Sequence, residues 1–163
     1  MTERPRKIEF ASLADVTPEV ERLMLGHRMV GGWSLAQVCQ HLSGSLIASV
    51  EGVPFRYPWI LRKTVGPWIV RRILTTGRFP QGAKLPDRLA PGPGLDARAE
   101  AEALRAAISA FSAHSGSYAD PPLGGSIGRD GWTRFHAIHS AHHLGFALPE
   151  APLDPAVAPC SNR

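Results

Sequence analysis

The pattern of apolar and polar positions in the first fifty residues predicts two helices. The segment Thr17-Pro18-Glu19 places a capping residue, a proline and an acid in the order typical of a helix N-terminus. This helix is expected to reach about Met29 and to stop at Gly31-Gly32. Ser34 opens the second helix, because Gln37 three residues later completes a capping box. Apolar side chains then follow at helical spacing: Leu35, Val38, Leu42 and Leu46.

Three further segments carry helical patterns. Trp59 to Leu74 is basic and apolar, and its helix is expected to bend or break at Pro67. Leu95 to His114 is rich in alanine, with early acids and an apolar stripe, which is typical of an amphipathic helix. The last helix is expected from about Arg129 to Leu148. Four long helices and a shorter basic one predict an all-α protein, specifically a four-helix bundle.

Prolines and glycines interrupt the helical patterns in two places. Residues 78–94 hold four prolines and three glycines, and residues 115–128 hold two prolines and four glycines. Both segments are therefore expected to be long irregular connections. No strand-like alternation and no internal repeat is visible. The chain is thus predicted to be one domain of residues 1–163, with poorly ordered tails at 1–11 and 150–163.

The composition is that of an ordinary globular protein. A chain of 163 residues with 44% hydrophobic content can bury a core. No run of about 18 apolar residues exists, since basic residues interrupt the nearest candidate, Tyr57 to Thr76. The first residues are charged and lack the apolar core of a secretory signal. A cytoplasmic protein without a membrane partner is therefore expected, and its two cysteines, Cys39 and Cys160, do not form a disulfide framework.

The net charge of +4 is unevenly distributed along the chain. Between positions 56 and 88 there are eight basic residues and a single acid. These side chains could form a solvated face, or they could attract an anionic small molecule. In the second case Arg62 and Arg71 are candidate substrate-binding residues, because they flank Trp59 and Trp68, which could wall an apolar pocket. Nucleic acid is not expected as a partner, since no nucleic-acid-binding motif accompanies the charge.

Four of the seven histidines crowd into residues 136–143, within the last predicted helix. His139 and His143 are four residues apart, so their imidazoles lie on one face, one turn from each other. This spacing lets two imidazoles bind one divalent metal, as in the helical zinc motif of metalloproteases. Aromatic residues share the face, which disfavours a merely histidine-rich surface. His136 and His142 flank the pair and are alternative ligands, or could support the ligands by hydrogen bonding.

A third ligand has to come from another helix. His41 is the best candidate, because it lies mid-helix at the margin of an apolar stripe. A single buried histidine is more often a hydrogen-bonded core residue, but two further inward imidazoles without an acid partner need a cation or a network. Gln37, one turn before His41, could orient a ligand, although capping competes for its side chain. Cys39 points away from His41 and is expected to be a small buried hydrophobe.

Two segments resemble a known family. Residues 32–42, GWSLAQVCQHL, resemble the second helix of DinB-like proteins, whose pattern W-S-x-x-[QE]-x-x-x-H-L supplies one histidine. Residues 139–143, HSAHH, resemble the H-x-x-x-H pair of that superfamily's last helix. The chain is accordingly identified as similar to a branch of the DinB/YfiT-like superfamily whose function is unknown. It departs from the pattern at residues 144–146, where many relatives have Arg-Gly-Gln, and at Pro121-Pro122, where His-Pro is expected.

The resemblance implies a four-helix bundle, often a homodimer, in which His41, His139 and His143 bind zinc, nickel or a similar metal. Characterised relatives include transferases that use low-molecular-weight thiols, a thiol-dependent isomerase and hydrolases. Three imidazoles with an open coordination position suit a metal that activates water or a thiol. The first hypothesis is therefore a metal-dependent transferase or hydrolase for a small molecule. The alternatives are a binding module for sensing or sequestration and a nucleic-acid-associated stress protein.

Overall fold

Six α-helices and one two-stranded sheet make up the regular structure of residues 4–53, 55–79 and 90–150, the part of the chain that the computed structural model describes. A short 3-10 turn, Leu13–Asp15, precedes the first helix. The helices are α1 Val16–Leu25, α2 Leu35–Glu51, α3 Trp59–Lys63, α4 Val65–Thr76, α5 Ala97–Ala113 and α6 Gly128–Leu144. The strands are β1 His27–Met29 and β2 Ala147–Pro149. The protein is therefore mostly helical, as the sequence predicts.

Helix α2 begins at the residue that the sequence indicates. The hydroxyl of Ser34 accepts a hydrogen bond from the Gln37 backbone N–H at 3.2 Å. The Gln37 side-chain oxygen accepts one in return from the Ser34 backbone N–H at 2.9 Å. This capping box satisfies two backbone donors that no helical carbonyl can reach. The helix ends at Gly52, which adopts a φ of +84° that few other residues tolerate.

The first and last helices are both shorter than predicted, and a sheet takes the remainder. Residues 27–29, expected in the first helix, pair antiparallel with residues 147–149, expected in or just after the last one. In the register of this sheet, His27 lies opposite Pro149 and Met29 opposite Ala147. The prediction of a purely all-α protein without strands was therefore wrong. Three-residue strands are too short to show an alternating pattern, and their hydrogen bonds join segments that are far apart in sequence.

The basic helical segment breaks at a different residue from the one predicted. Helix α3 ends at Lys63 and α4 starts at Val65, so the break falls at Thr64. Pro67, the predicted break, is the third residue of α4. The first four N–H groups of a helix have no helical acceptor, so a proline there costs no hydrogen bond.

The irregular connections and tails show a mixed outcome. Residues 115–127 form neither helix nor strand, as predicted. Within the predicted 78–94 connection, the described residues 78–79 and 90–94 are likewise irregular, and the rest lies outside the described residues. The described part of the predicted N-terminal tail is packed, unlike the prediction. Arg6 donates its backbone N–H to Gly145 at 2.9 Å, and Ile8 and Phe10 lie against the core.

The core surrounds α2, which packs against α5 on one side and α6 on another. Helix α1 contacts α5 and α6, and α4 contacts α6. The four-helix bundle as such stays a prediction, as does the division into a single domain. Among the described residues, no helix combines the length and the apolar content needed to cross a bilayer. The buried apolar residues of the main cluster include Val16, Leu23, Leu35, Val38, Leu42, Leu46, Leu104, Phe111, Trp132 and Leu144.

Candidate metal centre

Helices α2 and α6 bring three histidines together where they pack. His41 comes from the middle of α2, and His139 and His143 come from successive turns of α6. One ring nitrogen from each imidazole lies within 4.8 Å of the other two. His139 is buried, and the other two are partly exposed. The three residues singled out from the sequence therefore form one cluster that could hold a metal ion.

The distances within the cluster match the coordination sphere of a small divalent cation. His139 Nε2 lies 3.1 Å from His41 Nε2 and 3.1 Å from His143 Nε2. Around a tetrahedral zinc ion with Zn–N bonds of 2.0–2.1 Å, two ligand nitrogens are about 3.3 Å apart. The two contacts of His139 are thus already spaced like those between ligands of such an ion.

Hydrogen bonds between the imidazoles satisfy the ring nitrogens of this cluster poorly. An imidazole nitrogen offers either one N–H or one lone pair. His139 Nε2 faces two nitrogens at hydrogen-bond distance, so it can make one good hydrogen bond and must leave the second contact unsatisfied. A cation accepts all three lone pairs at once. The donor set therefore fits a metal better than it fits a network of hydrogen bonds.

The electrostatics of the cluster favour neutral imidazoles, the form that binds a metal. Burial, followed by the neighbouring His143 and His41, lowers the pKa of His139 well below its ordinary value. Burial, followed by His41 and His142, lowers the pKa of His143 to about 3. At neutral pH these two imidazoles carry no proton charge, and their lone pairs are available.

Aromatic rings hold the imidazoles in place. Trp33 stacks on His143, with ring centroids 5.3 Å apart and planes 11° from parallel. Phe79 and Phe135 contact His139 at centroid distances of 5.2 and 5.6 Å. Metal-binding histidines commonly donate their second N–H to a carbonyl or carboxylate, but His139 Nδ1 is buried without a hydrogen-bond partner among the described residues. Packing against rings therefore sets its orientation.

The sequence analysis missed Trp33 and Phe79 as parts of the site. Trp33 entered only through the motif that carries the family resemblance, and Phe79 lies at the edge of a segment expected to be irregular. Each reaches the histidines from outside both ligand-bearing helices. Local periodicity cannot find such residues, because their contacts join segments distant in sequence.

A large cavity opens beside the three histidines, between α2, α4 and α6. Its volume is about 1060 Å³. Its walls are mainly apolar and aromatic, and the charged side chains among its described lining residues are basic: Arg6, Lys7 and Arg78. No described carboxylate lines it. The cavity can accept a small molecule. Arg6 and Lys7 form ion pairs with Glu19 and Glu9, so the basic lining is partly neutralised.

The alternative ligands named from the sequence have other partners. His136 is buried, its Nε2 lies 3.0 Å from the Ser49 hydroxyl, and burial lowers its pKa to about 3. His142 lines the cavity, where its ring contacts Phe79, but it lies outside the three-histidine cluster. Gln37 uses its side-chain oxygen in the capping box and donates its amide to the Gly92 carbonyl. The structure therefore does not bring these three side chains to the cluster as ligands.

The predicted substrate-binding residues lie away from this cavity. Trp59 and Trp68 are 70% and 60% exposed, and neither they nor Arg62 and Arg71 line it. The tryptophan side chains of α3 and α4 face solvent. The tryptophans therefore do not line a pocket beside the histidines. The basic residues that do line the cavity come mostly from the N-terminal segment.

Cys39, His27 and His114 lie outside the three-histidine cluster. Burial, and then the nearby Glu100 charge, raise the pKa of the Cys39 thiol to about 12, so it stays protonated. His27 Nδ1 lies 2.8 Å from the Leu23 carbonyl at the end of α1. His114 lies at the C-terminal end of α5.

Comparison with known families places the chain in one of them. A family model described as "Protein of unknown function (DUF1569)" matches residues 2–150. The chain belongs to the DUF1569 family. The match covers all three clustered histidines of this DUF1569 protein. The search of the curated proteins and the search of the solved structures each find no match.

Proposed function

We propose that this DUF1569 protein is a metal-dependent enzyme that acts on a small molecule in the cavity beside the three histidines. The observation that carries the proposal is that one nitrogen from each of the three imidazoles lies within 4.8 Å of the others, with His139 Nε2 3.1 Å from both of its neighbours. His41, His139 and His143 would hold the ion, with zinc or nickel the best match to an all-imidazole set. When bound, such an ion lowers the pKa of a water molecule or thiol and so supplies a nucleophile at neutral pH.

The remaining side chains of the cavity would bind and orient the substrate. Trp33 and Phe79 form an aromatic wall next to the imidazoles and exclude water from that side. Arg78 supplies positive charge to the cavity, whereas the charge of Arg6 is balanced by Glu19. Arg6 is fixed by an ion pair with Glu19 and by a hydrogen bond from its Nε to the Ala147 carbonyl at 2.8 Å. These contacts support a substrate with an apolar or aromatic part and an anionic group.

The resemblance to DinB-like proteins supports the type of reaction. Thiol S-transferases and hydrolases of that superfamily use a three-histidine metal site on helices in the same order. A transferase reaction would use a low-molecular-weight thiol as cosubstrate, and an anionic thiol would suit the basic lining of the cavity.

A second candidate function is metal or ligand binding without turnover. It is favoured by one observation: no carboxylate lines the cavity among the described residues, so none of them is placed to accept a proton from water or a thiol. A protein that senses or sequesters a ligand needs no such group. An assay for turnover therefore distinguishes the two functions.

The decisive experiment is a substrate screen with the metal-loaded full chain, with and without a glutathione-like thiol. The proposal expects a thiol-dependent or hydrolytic reaction that disappears with a chelator and returns when the metal is restored. The His139→Ala variant should lack the reaction, and the His27→Ala variant should keep it. Stoichiometric metal binding without any reaction would favour the binding module, and a reaction that survives the chelator would contradict the metal-dependent enzyme.

A further inference from the structure

A cluster of large apolar side chains is exposed on α3 and α4. We define it as the α3–α4 patch: Trp59, Ile60, Leu61, Val65 and Trp68. All five are at least 40% exposed, and the two tryptophans are 70% and 60% exposed. Five exposed large apolar side chains on two successive helices indicate an interaction site.

The patch occupies the outward face of an amphipathic helix. In α4, the side chains of Val70 and Ile73 are buried one turn apart. Trp68 lies on the opposite side of α4 and Val65 on its flank, and both are exposed. An outward helix face in a globular protein is normally polar. The exposed tryptophan and valine therefore reverse the usual pattern of a surface helix.

Close backbone contacts fix α3 and α4 in this orientation. A Cβ atom at Gly66 would overlap the Leu123 carbonyl oxygen, and one at Gly124 would overlap the Arg62 carbonyl oxygen. At the other end of α4, Arg134 Nε donates a hydrogen bond to the Leu74 carbonyl at 2.5 Å. The two helices are thus held by backbone groups and glycines, which leaves the large apolar side chains facing outwards.

The charge around the patch is of one sign. Residues 55–79 contain six basic residues and no acid. Lys63, Arg71 and Arg72 are exposed beside the apolar side chains, and the Arg72 guanidinium lies 5.6 Å from the centre of the Trp68 ring. Tryptophan with surrounding lysine and arginine is the composition that binds the interface of an anionic bilayer.

We propose that the α3–α4 patch docks the protein on an anionic lipid surface. Trp59 and Trp68 insert at the headgroup level, and Arg71 and Arg72 contact lipid phosphates. The sequence analysis expected no membrane partner because no segment can span a bilayer, but surface docking requires no spanning segment. A second copy of the chain fits the patch less well, because a two-fold contact would bring like charges face to face.

The test is flotation of the full chain with vesicles of phosphatidylcholine and phosphatidylglycerol, against vesicles of phosphatidylcholine alone. We expect binding to the anionic vesicles only, with a loss at high salt because the attraction is screened. Each arginine near the surface contributes about five-fold to partitioning, so an Arg71→Gln/Arg72→Gln variant should bind about 25-fold more weakly. A Trp59→Ala/Trp68→Ala variant should lose binding.

Matched controls separate docking from general effects. Leu25 is 72% exposed and lies in α1, outside the patch, so Leu25→Ala should bind like the parent protein. Brominated lipids should quench tryptophan fluorescence in the parent protein and not in a folded Trp59→Phe/Trp68→Phe variant. Three results would each overturn the proposal: failure to bind anionic vesicles, full binding by the Arg71→Gln/Arg72→Gln and Trp59→Ala/Trp68→Ala variants, or a self-associated state that Trp68→Ala disrupts without any vesicle binding.

Discussion

Two regions depart from the usual distribution of side chains, and they do so in opposite ways. They are the interface between α2 and α6 and the outer surface of α3 and α4. The first buries imidazoles inside a mainly apolar core, and the second exposes tryptophans to solvent. Burying polar groups costs free energy unless they are satisfied, and exposing large apolar groups forgoes the gain from burial. Each region therefore has a feature that a bound partner would explain, and we propose a cation for the first and a lipid surface for the second.

The largest expected effect is the loss of one imidazole from the buried region. His139→Ala removes the nitrogen that lies 3.1 Å from both other ligands. Loss of a neighbour that merely orients a ligand weakens metal affinity about 10–100-fold, so loss of this ligand should weaken it by more than about 100-fold. Competition with a metal-binding dye measures this affinity. His114→Ala is the matched control. An unchanged metal affinity in His139→Ala would contradict a metal site at this interface.

The next largest effect is the difference in stability between a variant of a core apolar residue and a variant of an exposed one. Leu46→Ala, in the core cluster, should lower the free energy of unfolding by about 2–5 kcal/mol. Trp68→Ala, on the exposed patch, should change it by less than about 0.5 kcal/mol. Urea unfolding measures both. A large destabilisation by Trp68→Ala would mean that the tryptophan stabilises the fold. It would contradict the interpretation of the patch as a docking surface.

The pH dependence of stability tests the buried imidazoles directly. Burial holds the pKa of His136 at about 3, against an ordinary value of 6.5 in the unfolded chain. The unfolded imidazole takes up a proton below pH 6.5, whereas the buried one does not, so stability must fall as the pH drops from 7 to 5. One such group contributes about 2 kcal/mol over this interval.

Urea unfolding of the metal-free protein at pH 7 and pH 5 measures this change. His136→Phe keeps an aromatic ring in the site and removes the titrating group, so its stability should depend less on pH, by about 2 kcal/mol. Equal pH dependence in both proteins would show that His136 does not stay neutral in the folded state.

The smallest expected effect concerns the ring that stacks on a ligand. Trp33→Leu removes the stacked contact with His143 and should weaken metal affinity about ten-fold, as for a partner that orients a ligand. Trp33→Phe keeps a ring and should retain most of the affinity. If Trp33→Leu binds metal as tightly as the parent protein, the tryptophan only fills space next to the site.

Local patterns predicted the helices and the ligand spacing, because both depend on residues close in sequence. Ser34 and Gln37 fixed the start of α2 through hydrogen bonds between positions three apart. His139 and His143 share a face because the helical period is about 3.6 residues. His41 was singled out as the third member by its place at the margin of an apolar stripe, by the need of the His139 and His143 pair for a further ligand, and by the resemblance to DinB-like proteins.

Contacts between distant segments were not predictable in the same way. The pairing of Met29 with Ala147 depends on where α1 and α6 end relative to each other. The break at Thr64 lies close to Gly66, whose backbone packs against the Leu123 carbonyl from a segment distant in sequence. Which sides of α3 and α4 are buried also depends on packing with distant segments, so a pocket was expected beside Trp59 and Trp68 where the structure has a surface.

The central claim is that three imidazoles bind one divalent metal, and X-ray absorption at the metal edge of the metal-loaded protein tests it most directly. The geometry predicts one ion per chain with three imidazole nitrogens at about 2.0–2.1 Å. The spectrum of the His27→Ala variant should be identical, and that of any ion retained by His41→Ala should lack one imidazole. An ion bound by oxygen or sulfur without imidazole scattering, or no stoichiometric ion at all, would contradict the account.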